Sequence, residues 1–368
     1  MKVLEFFGEP LSYGGQETFI INMYSNFSDK NEYTFCTPFY LNNEQLKKIV
    51  GIKGDKLLFF DYKFKSKLRK LYIYKTAKKV CFNYDVIHIH SGSILTLLMV
   101  AIIAKKNKIK RVIVHSHATG YNTFSHWIIK NISDSIIKKY ADIFLACSKE
   151  AGRFKFSNEI VNSTKFGIVK NGINLEKYKF SETIRKCKRK ELSIDNQTII
   201  CNIGRFAPEK NHLFLLDIFS EYLKLDENSK LLIIGGDGCA EQAVQDKINK
   251  LQFADKVILL KNRMDINELL NVVDVFIFPS LFEGLGISAI EAQAEGIPTI
   301  CAKHLPKELN ASECYYALSL SDNPKKWANM AYYLKNKRKK NQTEQLRKNG
   351  YDVRKCAEIL EQIYEYGL

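Results

Sequence analysis

Apolar positions along the chain gather into short runs separated by longer stretches of helical spacing. Residues 3–7, 85–90 (DVIHIH), 111–115, 143–146 and 165–169 have the length and composition of strands. A second series follows at 198–203 (TIICNI), 230–234, 257–260, 275–278 (VFIF) and 299–302. Between them, residues 17–25, 211–225, 240–251 and 287–295 read as helices. Strands alternating with helices predict parallel sheets covered on both faces. Two such series, parted by a charged interval at 175–195, predict an α/β chain of two facing, doubly wound, Rossmann-like domains. The expected division is 1–175, 176–345 and a C-terminal helical segment, 346–368. The pattern alone does not place that last helix; a return to the first domain is one placement. In doubly wound sheets ligands bind outside the carboxyl ends of the strands, so a cleft between the domains is the expected site.

Composition sharpens this picture. The 368 residues are 46% hydrophobic, enough for two full cores. The net charge of +16 points to acidic partners: phosphates, nucleic acid or an anionic membrane face. No nucleic-acid-binding module stands in the sequence, which argues against that partner. Nine cysteines without a CxxC pair, and no secretion-type N-terminus, predict reduced thiols and a cytoplasmic setting. The longest apolar stretch, near 94–104, is too short to span a bilayer.

Three loops carry candidate chemistry. Gly14 and Gly15, in YGGQETFI, open an apolar helix after the first strand. Such a turn either lets backbone N–H groups approach an anion or is an ordinary strand-to-helix turn. It is neither GxGxxG nor a Walker A loop. In the second half, Gly204-Arg205-Phe206-Ala207-Pro208-Glu209-Lys210 follows the strand TIICNI. A guanidinium fork and an ammonium on one proline-stiffened loop suit a diphosphate. Third, FEGLGISAIEAQAEGIP puts Glu283 on a loop and Glu291 two turns into a helix otherwise fit for burial. At about 1.5 Å per residue the two acids span about 12 Å on one face. One carboxylate can bond the hydroxyls of a sugar and the other those of a ribose, with the helix N-terminus facing phosphates between them.

These motifs resemble the retaining glycosyltransferases of family 4, which have the two-domain GT-B architecture. Glu283 and Glu291 match the E-x7-E motif; Gly204, Arg205 and Lys210 match G-R-x4-K. YGGQETFI, DVIHIHSG, HSHATG, KNGIN, GGDG and Pro306–Glu308 (PKE) follow in the family's order, most like the branch that builds capsular and exopolysaccharides. The resemblance implies catalytic roles for Glu283, His117, Arg205 and Lys210. It implies donor contacts from Gly15, Arg205, Lys210, Gly284, Leu285, Gly286 and Glu291. The donor would be a nucleotide sugar, by analogy a UDP-sugar, and the acceptor a lipid-linked or polysaccharide glycan. No further cofactor and no metal are expected. Two alternatives share the architecture: a sugar-nucleotide epimerase and a non-catalytic subunit.

His88, His90, His115 and His117 form two HxH pairs on strands. Such pairs can bind a metal, but a packed, hydrogen-bonded arrangement is the expectation for His88 and His90. No DxD occurs. The run 63–79 (KFKSKLRKLYIYKTAKK) reads as a basic helix with interleaved apolar residues. It suits either an anionic membrane surface or a solvated helix face.

Overall fold

The structure is a computed structural model of the whole chain. It describes all residues except 12–14, 118–119, 121–123, 195 and 341, and of 124–127 the backbone only. Tyr13 and Gly14 of the glycine turn, and Ala118 and Thr119 of HSHATG, therefore lie outside the described residues.

Two compact units divide the chain: Met1–Gly172 with Val353–Leu368, and Ile173–Asp352. The first is built on a sheet of seven strands: β1 (Lys2–Phe7), β2 (Glu32–Phe39), β3 (Lys56–Tyr62), β4 (Val86–His90), β5 (Arg111–Ser116), β6 (Ile143–Ala146) and β7 (Phe166–Ile168). Their spatial order is β3-β2-β1-β4-β5-β6-β7, all parallel. The second unit holds β8 (Thr198–Ile203), β9 (Ser229–Gly235), β10 (Val257–Lys261), β11 (Val275–Phe278), β12 (Thr299–Ala302) and β13 (Tyr315–Leu318). These run β10-β9-β8-β11-β12-β13, again all parallel. Both sheets reverse direction of growth beside their first strand, which is where doubly wound folds bind ligands.

Burial on both faces explains the near-continuous apolar strands. In the first unit Ile87 and Ile89 face helices Arg69–Val80, Ile94–Lys106 and Phe124–Ile137 through Ile73, Leu97 and Ile137. On the other face Val86 packs with Phe19 and Ile20 of helix Gly15–Tyr24 and with Leu360 and Tyr364 of helix Val353–Tyr366. The C-terminal helix is thus part of the first unit's core. Gly172 is held there by close approach: a Cβ would stand 2.7 Å from the Cα of Val353.

Three strands were not legible in the apolar pattern. Strand β2 contains Pro38, and its register with β3 slips between Thr37 and Phe39. A proline demotes a run to edge or bulge by its missing donor, which masks the strand. Strand β3 is an edge with only partial burial along its length, so its apolar signal is weak. Strand β13 has four residues, none fully buried before Leu318.

Candidate active site

In the second unit the chemistry gathers on the loops that leave β8 and β11, the two strands flanking the switch point. The loop after β8 is laced to the GGDG loop after β9. Phe206 N–H donates to Gly236 O at 3.1 Å, and Ala240 N–H donates to Phe206 O at 2.9 Å. Gly238 is required there, because a Cβ would fall 1.9 Å from Phe206 O. Past Phe206, Pro208–Lys210 makes a single 3-10 turn ending at Asn211, which is left-handed at φ 56°. Asn211 Nδ2 donates to Pro279 O at 3.1 Å, and Leu281 N–H donates to Glu209 O at 2.7 Å. The two loops are therefore one hydrogen-bonded assembly.

That assembly brings Lys210 and Glu283 together: Nζ stands 2.6 Å from Oε1, with the side chains 16% and 10% exposed. The lysine stem runs along Gly204, where a Cβ would approach Lys210 Cδ to 3.0 Å. Arg205, on the same loop, is 57% exposed and reaches Glu209 at 3.5 Å. Gly284 and Leu285 are buried, and Gly286 turns the chain at φ 94° into helix Ile287–Ala294. No side chain caps that helix start, so its first N–H groups carry the partial positive charge of an open N-terminus.

Glu291 lies inside this helix, nearly buried, and accepts a hydrogen bond from Tyr178 Oη at 2.5 Å. Burial pushes its carboxyl up to about 7, and the Tyr178 bond opposes the rise. One turn on, Glu295 is pushed up to about 8 by burial, with Arg338 opposing and Glu291 adding to the shift. Tyr178, Glu295 and Arg338 were not legible as site neighbours in the sequence; Tyr178 lies 113 positions from Glu291. His212 is a further neighbour that no sequence motif marks. It packs 5.1 Å from Phe206, is pushed down to about 4 by burial with the Lys210 charge adding, and neither ring nitrogen has a hydrogen-bond partner among the described residues.

The remaining site candidates belong to the first unit. Gly15 starts helix Gly15–Tyr24, is exposed, and has open space where a Cβ would be. His117 follows the last residue of β5 and is partly exposed. It joins a buried cluster whose other members are strand residues. His90 Nδ1 lies 2.8 Å from His117 Nε2, and His90 Nε2 lies 2.7 Å from Glu5 Oε2. Tyr364 Oη donates to Glu5 Oε1 at 2.6 Å and lies 2.7 Å from His88 Nδ1. His88 Nε2 lies 3.0 Å from His115 Nδ1. Phe7 stacks on His90 at 4.8 Å, and Phe19 closes over His117 at 4.9 Å. Glu5, a lone acid in an apolar strand, is the sequence signal for this cluster.

Ligand atoms of His88, His90 and His115 come within 4.8 Å of one another, close enough in principle for a metal ion. Each ring is already engaged by Glu5, Tyr364 or another histidine, so a metal would have to displace these bonds. The arrangement fits the packed reading of His88 and His90.

Two Rossmann-like units in one chain are the GT-B class of architecture. The Anabaena protein HepE, solved with UDP and glucose, shares it: TM-score 0.79 over all of both chains, at 17% identity. The family model for glycosyl transferases group 1 matches residues 184–352, and that for glycosyltransferase family 4 matches residues 13–177. This chain belongs to the family-4 glycosyltransferases and is an enzyme of that class. The protein EpsF of Bacillus subtilis is 26% identical over 325 residues, 86% of this chain and 84% of that protein. The UDP-Gal:alpha-D-GlcNAc-diphosphoundecaprenol alpha-1,3-galactosyltransferase of Escherichia coli is 26% identical over 66% of this chain and 62% of its own length.

Proposed function

We propose that this glycosyltransferase moves one sugar, with retention, from a UDP-sugar to a lipid-linked glycan in surface polysaccharide assembly. The observation that carries the reading is the Lys210–Glu283 contact, held by two interlaced loops at the carboxyl ends of β8 and β11. In this reading Arg205 and Lys210 grip the donor diphosphate. Glu283 releases Lys210 to it and bonds sugar hydroxyls. The backbone of Gly284, Leu285 and Gly286 faces the phosphates beside the uncapped helix start. Glu291, oriented by Tyr178, takes the ribose hydroxyls. Gly15 and His117 contribute donor contacts from the first unit.

Catalysis then rests on fixing the donor and offsetting charge on the leaving diphosphate. The acceptor hydroxyl attacks from the face the diphosphate leaves. The anomeric C–O bond to phosphate breaks as the new one forms, and the departing phosphate oxygen takes the acceptor's proton. No pair of carboxylates flanking the anomeric carbon is called for, unlike a glycosidase. Two similar proteins support the donor and acceptor class: HepE was solved with UDP and glucose, and the Escherichia coli relative is named for transfer from UDP-Gal to a diphosphoundecaprenol-linked sugar.

A lipid-linked acceptor calls for contact with an anionic membrane face. Among the described residues no helix is long and apolar enough to cross a membrane. Leu71 and Tyr74 on the basic helix Arg69–Val80, and Ile128, Ile129, Ile132 and Ile136 on helix Phe124–Ile137, are exposed instead. Both helices sit in one layer on the first sheet. The second of these apolar faces lies outside the basic run that the sequence pointed to. Apolar side chains beside lysines suit surface binding.

The deciding experiment offers UDP-, GDP- and ADP-sugars to the purified protein and follows thermal stability and sugar release. UDP-sugars should stabilise it, and undecaprenyl-diphosphate-linked sugar should accept the transferred residue. No stabilisation by any nucleotide sugar overturns the reading. Sedimentation with vesicles of graded anionic lipid content tests the surface separately; binding indifferent to that content removes the membrane from it.

A further inference from the structure

A carboxylate is an acceptor only, at both oxygens. Glu5 is fully buried, and its carboxyl is held below the ordinary range: burial alone would raise it, and the bonds from His88 and His90 outweigh burial. Its two oxygens therefore orient every bond that reaches them. His90 must donate to Oε2 from Nε2–H. His90 is pushed down to about 4, by burial first and by His88 second, against the pull of Glu5, so at neutral pH it carries one proton only. That proton is on Nε2, and Nδ1 is bare. A bare His90 Nδ1 at 2.8 Å from His117 Nε2 must accept a proton-bearing nitrogen. His117, itself held well below its ordinary value by burial with His90 and His88 adding, is then the neutral Nε2–H form. Its Nδ1 is left as a bare acceptor, and that atom has no hydrogen-bond partner among the described residues.

The other oxygen starts a second chain. Tyr364 donates to Oε1, so its oxygen accepts from His88 Nδ1–H. Beyond Tyr364, His88 Nε2 lies 3.0 Å from His115 Nδ1. At the end of that chain His115 Nε2 is buried and has no hydrogen-bond partner among the described residues. Two hydrogen-bonded chains thus leave one carboxylate. The atom that the first chain leaves without a proton, His117 Nδ1, is one that lacks a partner.

We propose that Glu5 and His90 are positioning residues that lock His117 in its Nε2–H tautomer, with Nδ1 turned to accept a hydrogen bond from a hydroxyl of the transferred sugar. The tautomer of a histidine is set by the bond its other nitrogen makes, and a buried acceptor left open is costly until a donor fills it. The sugar contact rests on the glycosyltransferase reading above; the tautomer lock does not.

Histidine-selective 15N labelling reads both parts, because long-range proton–nitrogen correlations report which ring nitrogen is protonated. His117 in the free protein should carry its proton on Nε2. UDP-glucose, UDP-galactose and UDP-N-acetylglucosamine are then added in turn, with UDP as control. The sugar that is turned over should shift His117 Nδ1, and UDP alone should not. His90→Asn keeps an acceptor oxygen near the ring Nδ1 position and should retain the tautomer and most of kcat. His90→Phe removes it and should lower kcat about tenfold to a hundredfold, the range of lost supporting bonds, with UDP affinity unchanged. Glu5→Gln accepts at one atom and donates at the other, so one of the two chains should reverse polarity while the other keeps it. A His117 proton on Nδ1, or equal kcat in His90→Phe and His90→Asn when both melt like the parent, overturns the lock. A productive UDP-sugar that binds without moving Nδ1 overturns the sugar contact while leaving the donor site in place. A protein that binds no UDP-sugar overturns the UDP-sugar donor reading and the sugar contact together, and the spectrum of the free protein still decides the lock.

Discussion

In the second unit, Lys210 and Glu283 meet on loops beyond the strand ends, each still partly exposed. In the first, Glu5, His88, His90 and His115 lie inside the strands with no exposure at all. A charge on a loop can exchange one partner for another at little cost, because water and side-chain motion are at hand. A charge inside a sheet must be fully paired by its neighbours or neutralised. The loop pair is thus suited to take up and release an anion. The strand cluster is suited to fix a direction of hydrogen bonding and hold it.

Removing Lys210 should break this contrast most severely. Lys210→Ala leaves Glu283 without its cation, and sugar transfer should fall about 10²–10³-fold, the usual loss when a charge-stabilising donor is deleted. Initial rates against UDP-sugar check this, and activity within threefold of the parent, about 0.7 kcal/mol, would remove Lys210 from the site.

Gly238→Ala tests whether the loops need their lacing. A Cβ at 1.9 Å from Phe206 O forces the GGDG and Arg205 loops apart, at about 3 kcal/mol by analogy with overpacked cores. Denaturant titration should show the loss in the second unit.

The two regions also respond to pH in opposite directions. His90 is lowered from 6.5 to about 4, and His115 and His117 are also held well below 6.5, so the native state binds fewer protons than the unfolded chain. Their contribution is present above 6.5 and lost as pH falls towards about 4. Glu291 is raised from 4.5 to about 7 and Glu295 to about 8, so the native state binds more protons. Their contribution is complete below 4.5 and lost as pH rises through about 7 and then about 8. Native-state hydrogen exchange should show strands β4 and β5 losing protection first on acidification, and helix Ile287–Ala294 first on alkalinisation. Loss of both at one pH end would refute the contrast.

Tyr178→Phe sharpens it further. The Tyr178 bond is what restrains the rise of Glu291, so the variant should move the alkaline loss of stability to higher pH. The cost at neutral pH should be about 1 kcal/mol, read as a thermal midpoint followed across pH. Smallest in stability is Arg205→Ala. Its exposed contact with Glu209 is worth under about 0.5 kcal/mol, so the fold should be unmoved while donor affinity drops, measured by calorimetry with UDP.

Much of this was legible beforehand where the signal was local. Strands 143–146, 198–203, 275–278 and 299–302 match the structure residue for residue, because strands buried on both faces are bare apolar runs. The spacing of Arg205, Lys210, Glu283 and Glu291 was visible as motifs. Strands β2 and β3 were hidden by a proline and by edge exposure, and Tyr178 by its distance along the chain from the helix it serves.

The sequence by itself determined most of the strands, those buried on both faces, and which loops carry charge, since those follow from periodicity and turn chemistry over a few residues. Only the tertiary structure decided that Lys210 closes on Glu283, 73 positions away, and that His88 meets Tyr364 across 276. Such pairs are fixed by sheet order and by where the last helix returns. Those depend on the free energy of packing whole elements together, which no short stretch of the chain encodes.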